Sequence, residues 1–179
     1  MRNIRIEFLL EEESMSNFLK IILPKILPSD IILDRNCFLR PHSGKSDLAK
    51  SIPIKVRAFS NKTKFVIIDL SDCKKLKNDL SNLIIKNGGK DFLIRIPCRE
   101  LESWYLGDME SIEKVYPGFK AKNYKNKAAF RNPDECHASK DLSRICPDFQ
   151  KGYASKNIAK YMDINTNNSK SFNVFINGI

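Results

Sequence analysis

Apolar and polar positions alternate between two periods along the first half of the chain. Ile4, Ile6, Phe8, Leu9 and Leu10 form a short, largely apolar run of the kind a buried strand presents. Phe18, Leu19, Ile22, Leu23 and Ile26 then recur at helical spacing, behind Ser14 as an N-cap, with Pro24 and Pro28 expected to kink or end that helix. A weaker strand is expected over Ile31 to Leu39, followed by a polar turn from Pro41 to Ser46. Lys64 to Leu70 reads KFVIIDL, a β-branched strand that ends in acid, and its unbroken apolar stretch predicts a central position. Ser71 or Asp72 caps the next helix, which buries Leu76, Leu80, Leu83 and Ile84 and stops at Gly88-Gly89. Asp91 to Pro97 is the last strand of this half.

Strands alternating with helices at this spacing predict right-handed crossovers and an α/β fold with a mainly parallel sheet. Beyond about Pro117 the texture changes to Lys, Asn and short apolar pieces. Two helices are expected near the end, Ser155 to Met162 and Ser171 to Ile179, the second with Phe172, Phe175, Ile176 and Ile179 on one core face. The expected organisation is an α/β domain over 1–107 and a helical extension over 108–179.

Composition narrows the classes. The hydrophobic fraction is 42% and the charged fraction 29%, which argues for a packed globular chain. No apolar run approaches the ~20 residues that span a bilayer. The N-terminal MRNIRIEFLLEEES is interrupted by acids and lacks a small-residue cleavage site, so it reads as a strand of a cytoplasmic protein rather than a signal peptide. Thirty-one Lys and Arg against 21 Asp and Glu give a net charge of +10, which favours a polyanionic partner such as nucleic acid. A Lys-rich composition offers the blander explanation. Membrane lipid is disfavoured, because no basic amphipathic helix with a Trp or Phe face is present. The cysteines at 37, 73, 98, 136 and 146 form no CxxC pair and read as reduced thiols; Cys136, His137 and Cys146 lack a regular zinc spacing.

Ligands of parallel sheets bind at the carboxyl ends of the strands. Two acidic clusters fall there: Glu11-Glu12-Glu13 after the first strand, and Asp69-Leu70-Ser71-Asp72 at the end of the third. Such carboxylates are what Mg²⁺ or Mn²⁺ requires, with water and substrate phosphate as further ligands. Asp72 also reads as a helix cap, and Glu12 and Glu13 as acids placed to favour a helix N-terminus. After the fourth strand, Arg99 is suited to a phosphate and Glu102 to a metal or its ligands, against a plain helix with Trp104 in the core. His42 and Lys45 are candidate contacts for substrate phosphate, against a solvated turn. Gly44-Lys45-Ser46 matches the end of a P-loop, but position 39 is Leu where that motif needs Gly, so ATP is disfavoured.

An apolar strand ending in Glu, an α/β unit, and an apolar strand ending in paired Asp resemble a Toprim domain, the fold of topoisomerases, primases, old-family nucleases and recombination proteins. LLEEES, PHSGKSDL, FVIIDLSDCKKLK and IPCRELESWYLGD look like an uncharacterised Toprim-related prokaryotic family. Some members of that wider group are nuclease components of anti-phage systems that work beside an ABC-type ATPase. The resemblance implies a Toprim-like (Rossmann-like) fold, Mg²⁺-dependent phosphodiester hydrolysis on DNA or RNA, and an ATPase partner. It assigns Glu11 as the conserved-type glutamate and Asp69 with Asp72 as the aspartate pair. Glu12 stands where the family commonly has Gly, and Leu70 and Ser71 both separate the aspartates where one residue is usual. On a strand, residues i and i+3 face opposite ways, so Asp72 joins Asp69 only after the chain has turned. These departures favour an alternative, a catalytically silent module that docks on a partner protein.

Overall fold

A computed structural model of the chain describes residues 4–59, 63–68, 73–95 and 100–179. Strand β1 (Arg5–Leu10) leads through helix α1 (Glu13–Ile26) to β2 (Cys37–Pro41). Helix α2 (Lys45–Phe59), β3 (Thr63–Ile68), α3 (Cys73–Lys86) and β4 (Phe92–Arg95) follow. The four strands form one sheet in the order β2-β1-β3-β4, and every ladder is parallel. The α/β class with a parallel sheet and flanking helices is therefore what the chain adopts, and β3 lies between β1 and β4, the interior place its apolar run predicts.

Strand register sorts the side chains by face. Leu9, Phe65, Ile67 and Ile94 join Leu48, Ile52 and Val56 of α2 and Leu80 and Ile84 of α3 in one buried cluster. The intervening residues Phe8, Leu10 and Val66, buried as well, point to the opposite face. Helix α1 contacts β1 and β2 there, with Phe18, Leu19, Ile22 and Leu23 buried. Right-handed crossovers require this division, because β2 lies on one side of β1 and β3 on the other.

The α2-α3 face also carries a buried carboxylate. Glu7 is fully buried; Arg5 and Arg40 both pair with its carboxylate, Arg40 through Nε at 2.9 Å. The two guanidiniums are about one-third exposed and lie over the Phe38 ring, at 4.1 and 5.0 Å from its centroid. The pairing is possible because register places Arg40 beside Leu9, on the face that Arg5 and Glu7 share.

Local departures from the sequence reading have local causes. Ser14 does not cap α1: the cap position is Glu12, and the Ser14 hydroxyl donates to the Glu12 carboxylate. Pro24 lies inside α1, which runs on to Ile26 and ends one residue short of Pro28. Strand β2 starts at Cys37 rather than Ile31, because residues 31–36 are held in turns by Asp34 N–H to Cys37 O and Cys37 N–H to Ile32 O. Helix α2 occupies a stretch with no sequence assignment beyond the turn at its start; Pro53 lies in its interior and Ile54 is exposed, so its apolar face is narrow. Helix α3 stops as expected, with Gly88 and Gly89 N–H groups bonded to Ile85 and Ile84 carbonyls.

The chain divides into two compact units, Met1–Ile96 and Pro97–Ile179. The second holds α4 (Glu102–Leu106), α5 (Met109–Val115), short 3₁₀ turns at Ala121–Asn123, Ala128–Phe130 and Pro133–Glu135, then α6 (Ala138–Ile145), α7 (Lys151–Tyr161) and α8 (Lys170–Ile176). Helix α4, grouped with the sheet domain in the sequence reading, thus belongs to the helical unit. Its Trp104 is fully buried, stacks on Phe175, meets Phe172 edge-on, and donates from Nε1 to Ser171 Oγ at 2.9 Å. Asp134 accepts from the Ser169 and Ser171 hydroxyls and from Ser171 N–H, which ties the start of α8 to the same point. Asn167 bonds the Trp104 carbonyl, and a Cβ on Gly107 would stand 2.0 Å from its Oδ1, so only glycine permits that approach. The two C-terminal helices match the expected ones within a few residues, and Phe172 and Phe175 form the core face. Among the described residues no helix is long and apolar enough to cross a membrane.

Removing the Glu7 charge strands two guanidiniums against apolar surface. Glu7→Gln is expected to lower unfolding stability by about 3 kcal/mol, the low end for breaking a buried pair, since both arginines can still reach water. Arg40→Met, which leaves Glu7 with Arg5, should cost less. Urea denaturation followed by circular dichroism measures both.

Candidate functional site

The strand order sets where a ligand fits. From β1 the chain moves to β2 on one side, and then crosses back to β3 on the other. In open α/β sheets the connections diverge at such a reversal, leaving a crevice at the carboxyl ends of the two central strands. Leu10 of β1 and Ile68 of β3 are the last register partners across it. Glu11 follows Leu10 directly and is half-buried.

The turn after β2 is bound to this same edge. The Leu10 carbonyl accepts from His42 N–H at 2.9 Å, and the Glu11 carbonyl accepts from Gly44 N–H at 2.9 Å. His42 Nδ1 also lies 2.9 Å from the Leu10 oxygen. A carbonyl only accepts, so Nδ1 carries the hydrogen of this contact. Gly44 has φ +95°, and its carbonyl receives the Leu48 N–H, the first turn of α2. Asp47 reaches back to Ser43 N–H at 2.9 Å, as a capping residue does. Lys45 is then the first, exposed residue of α2. Glu11, His42 and Lys45 are thus brought to one edge, with the amino end of a 15-residue helix beside them. Glu12 and Glu13 are drawn into the start of α1, as cap and first-turn residue.

Asp69, Asp72 and Arg99 lie outside the described residues. Glu102 is in the helical unit, 4% exposed, with Lys151 Nζ at 3.4 Å. Burial raises its carboxyl above the ordinary glutamate range; Lys151 opposes the rise and Glu100 adds to it. Glu100 itself accepts the Ser139 N–H at 2.7 Å, at the start of α6. Among the described residues no group of three or more His, Cys, Asp or Glu side chains is arranged to hold a metal ion. Cys136 donates to the Ala129 and Asn132 carbonyls, which fits a buried thiol, and Cys37 is buried with its thiol pushed up to about 12, by burial first and then by Glu7 and Asp34.

One basic residue of this edge has no assignment from sequence. Arg95 ends β4 as the register partner of Ile68, and its buried Nε has no hydrogen-bond partner among the described residues, while Nη1 reaches only the Ile94 carbonyl at 3.3 Å. The available signal was a lone cation inside the apolar run of DFLIRIP. A buried guanidinium donor without a partner among the described residues is suited to an anion.

Gly44 provides a test of how the turn is held. A Cβ there meets nothing within 4 Å, so the cost of Gly44→Ala is conformational alone. It should amount to about 1–2 kcal/mol of stability. Denaturant titration measures it, and amide exchange should show the Gly44 and Leu48 N–H groups losing protection first.

No curated protein and no solved structure matches the chain. A family model described as "Domain of unknown function (DUF4276)" matches residues 10–179, a span that opens on the last residue of β1, carries the whole Glu11 edge and continues through the helical unit. The chain belongs to that family.

Proposed function

We propose that the chain is a Mg²⁺- or Mn²⁺-dependent phosphodiesterase acting on nucleic acid, with its reacting edge at the carboxyl ends of β1 and β3. One observation carries the reading: Leu10 and Ile68 are register partners across the switch point, and the residue following each in sequence is an acid, Glu11 and Asp69. Glu11, Asp69 and Asp72 are the hard oxygen donors that would hold the cation. The bound cation would polarise a phosphoryl oxygen and activate water.

The chain's own groups supply the rest. Lys45 and the amino end of α2 favour a phosphate, through one full charge and the partial charge of aligned peptide dipoles. His42, its ring oriented by the Leu10 carbonyl, would contact the phosphate through its second ring nitrogen. The net charge of +10 supports a polyanionic substrate. The Toprim resemblance supports the same chemistry, a cytoplasmic setting, and an ABC-type ATPase partner in phage defence.

A second reading, a silent module that docks on a partner protein, draws on Glu12: it stands where a Toprim glycine is usual, and occupies the position before the first turn of α1. Nuclease assays on DNA and RNA with Mg²⁺, Mn²⁺ or EDTA separate the two. Cleavage should need the metal and vanish in Glu11→Gln and Asp69→Asn, while the Asp69 variant keeps its fold or gains slightly in stability, because clustered carboxylates repel. Asp72→Asn decides whether that residue is a ligand or only a cap. Metal-independent cleavage, or full activity in Asp69→Asn, refutes the catalytic reading.

A further inference from the structure

Between Pro117 and Pro133 the helical unit carries Lys120, Lys122, Lys125, Lys127 and Arg131 and no acid. This segment is ordered by two 3₁₀ turns and by Tyr124, which stacks on Phe119 with ring centroids 5.4 Å apart and lies under the Lys127 ammonium at 4.7 Å. Two of the five cations are compensated from α5: Lys120 pairs with Glu113 at 3.3 Å and Lys125 with Glu110 at 2.6 Å. Lys122, Lys127 and Arg131 are exposed and have no ion pair among the described residues.

The same segment walls a cavity of about 370 Å³. Leu106, Met109 and Phe130, all buried, make its floor, and Asn126, Thr166 and Asn168, all exposed, make its rim. Most of the cavity's accessible lining is polar, so the group it takes must hydrogen-bond, and its volume lies at the small end for a small-molecule site. Carboxamides offer both donors and acceptors, as the edges of a nucleobase require. The Glu110–Lys125 pair closes one side.

We infer that this cavity takes an unstacked base of a single-stranded nucleic acid while Lys122, Lys127 and Arg131 hold the adjoining phosphates. The inference rests on the nucleic-acid reading above and adds to it a strand-binding site in the helical unit, built from residues other than the carboxylates. A nucleotide chain fits better than an acidic protein because it sets a planar, hydrogen-bonding ring beside every negative charge. Within a duplex that ring is stacked and paired, so single strands are the form the site selects.

Fluorescence anisotropy with labelled 12-nucleotide DNA and RNA strands of mixed sequence, in EDTA, tests this without the metal. The wild-type chain should bind single strands more tightly than the matching duplex. Combined Lys122→Glu, Lys127→Glu and Arg131→Glu should weaken binding at least tenfold and reduce the slope of log K against log salt by about 2, at roughly 0.7 for each phosphate that is no longer neutralised. Asn168→Leu should weaken single-strand binding with no change in the salt slope. Thermal melting confirms that the exposed substitutions leave the fold intact. Unchanged affinity in the triple variant, equal binding of duplex and single strand, or equally effective competition by polyglutamate overturns the proposal. Because the assay runs in EDTA, it keeps the two claims apart: if the metal-site reading alone fails, strand binding still follows the pattern above.

Discussion

Strand β1 is paired in parallel on both sides, and its neighbours come from different directions in the sequence. That single arrangement fixes much of the first unit. With β2 on one side and β3 on the other, right-handed connections must send α1 to one face and α2 to the other, so both faces of β1 are covered and its residues from Ile6 to Leu10 are buried. The same reversal leaves the carboxyl ends of β1 and β3 without a connection running between them. An edge of this kind is formed by topology before any catalytic residue is considered.

Backbone hydrogen bonds then tie the neighbouring turn to that edge. The Leu10 and Glu11 carbonyls, which emerge from the end of the ladder, are taken up by His42 and Gly44 N–H groups, so the start of α2 is anchored to the end of β1. Gly44 permits this through its left-handed backbone, where other residues would be strained. Glu7 works at the other end of the strand, holding Arg5 and Arg40 over Phe38 and so fastening the edge strand β2 to β1 by charge as well as by the ladder. In the second unit Trp104 has the corresponding place: the indole packs on Phe172 and Phe175, and its N–H joins the Ser171–Asp134 network that begins α8.

The central strands are legible in the sequence because burial on both faces leaves a continuous apolar run, as in Phe65, Val66 and Ile67 of β3. Helix α2 is not, since Pro53 and the exposed Ile54 interrupt the pattern and only Leu48, Ile52 and Val56 report its buried side. Glu7 is silent in the sequence for a related reason: a carboxylate within a strand finds its partners through register, with Arg40 lying 33 residues on in sequence. The acids after β1 and β3 are readable from their position behind apolar runs, and register brings the strands that carry them side by side. Arg95 shows the limit of that approach, because a cation inside a strand becomes informative only once its Nε is seen to be buried. The helical unit is legible at its end, where Phe172 and Phe175 keep helical spacing, and not in its middle, where turns and short helices are held by polar contacts between residues far apart in sequence, such as Asp134 with Ser171.

The central claim is that a divalent cation binds where β1 and β3 end. Crystals of the chain soaked in MnCl₂ and measured at the manganese absorption edge test it most directly. The account predicts an anomalous peak within ligand distance, roughly 2.0–2.3 Å, of the Glu11 carboxylate in the wild-type chain and no peak there in Glu11→Gln. Ordered crystals without a peak at that edge, or with manganese bound only elsewhere, would contradict it.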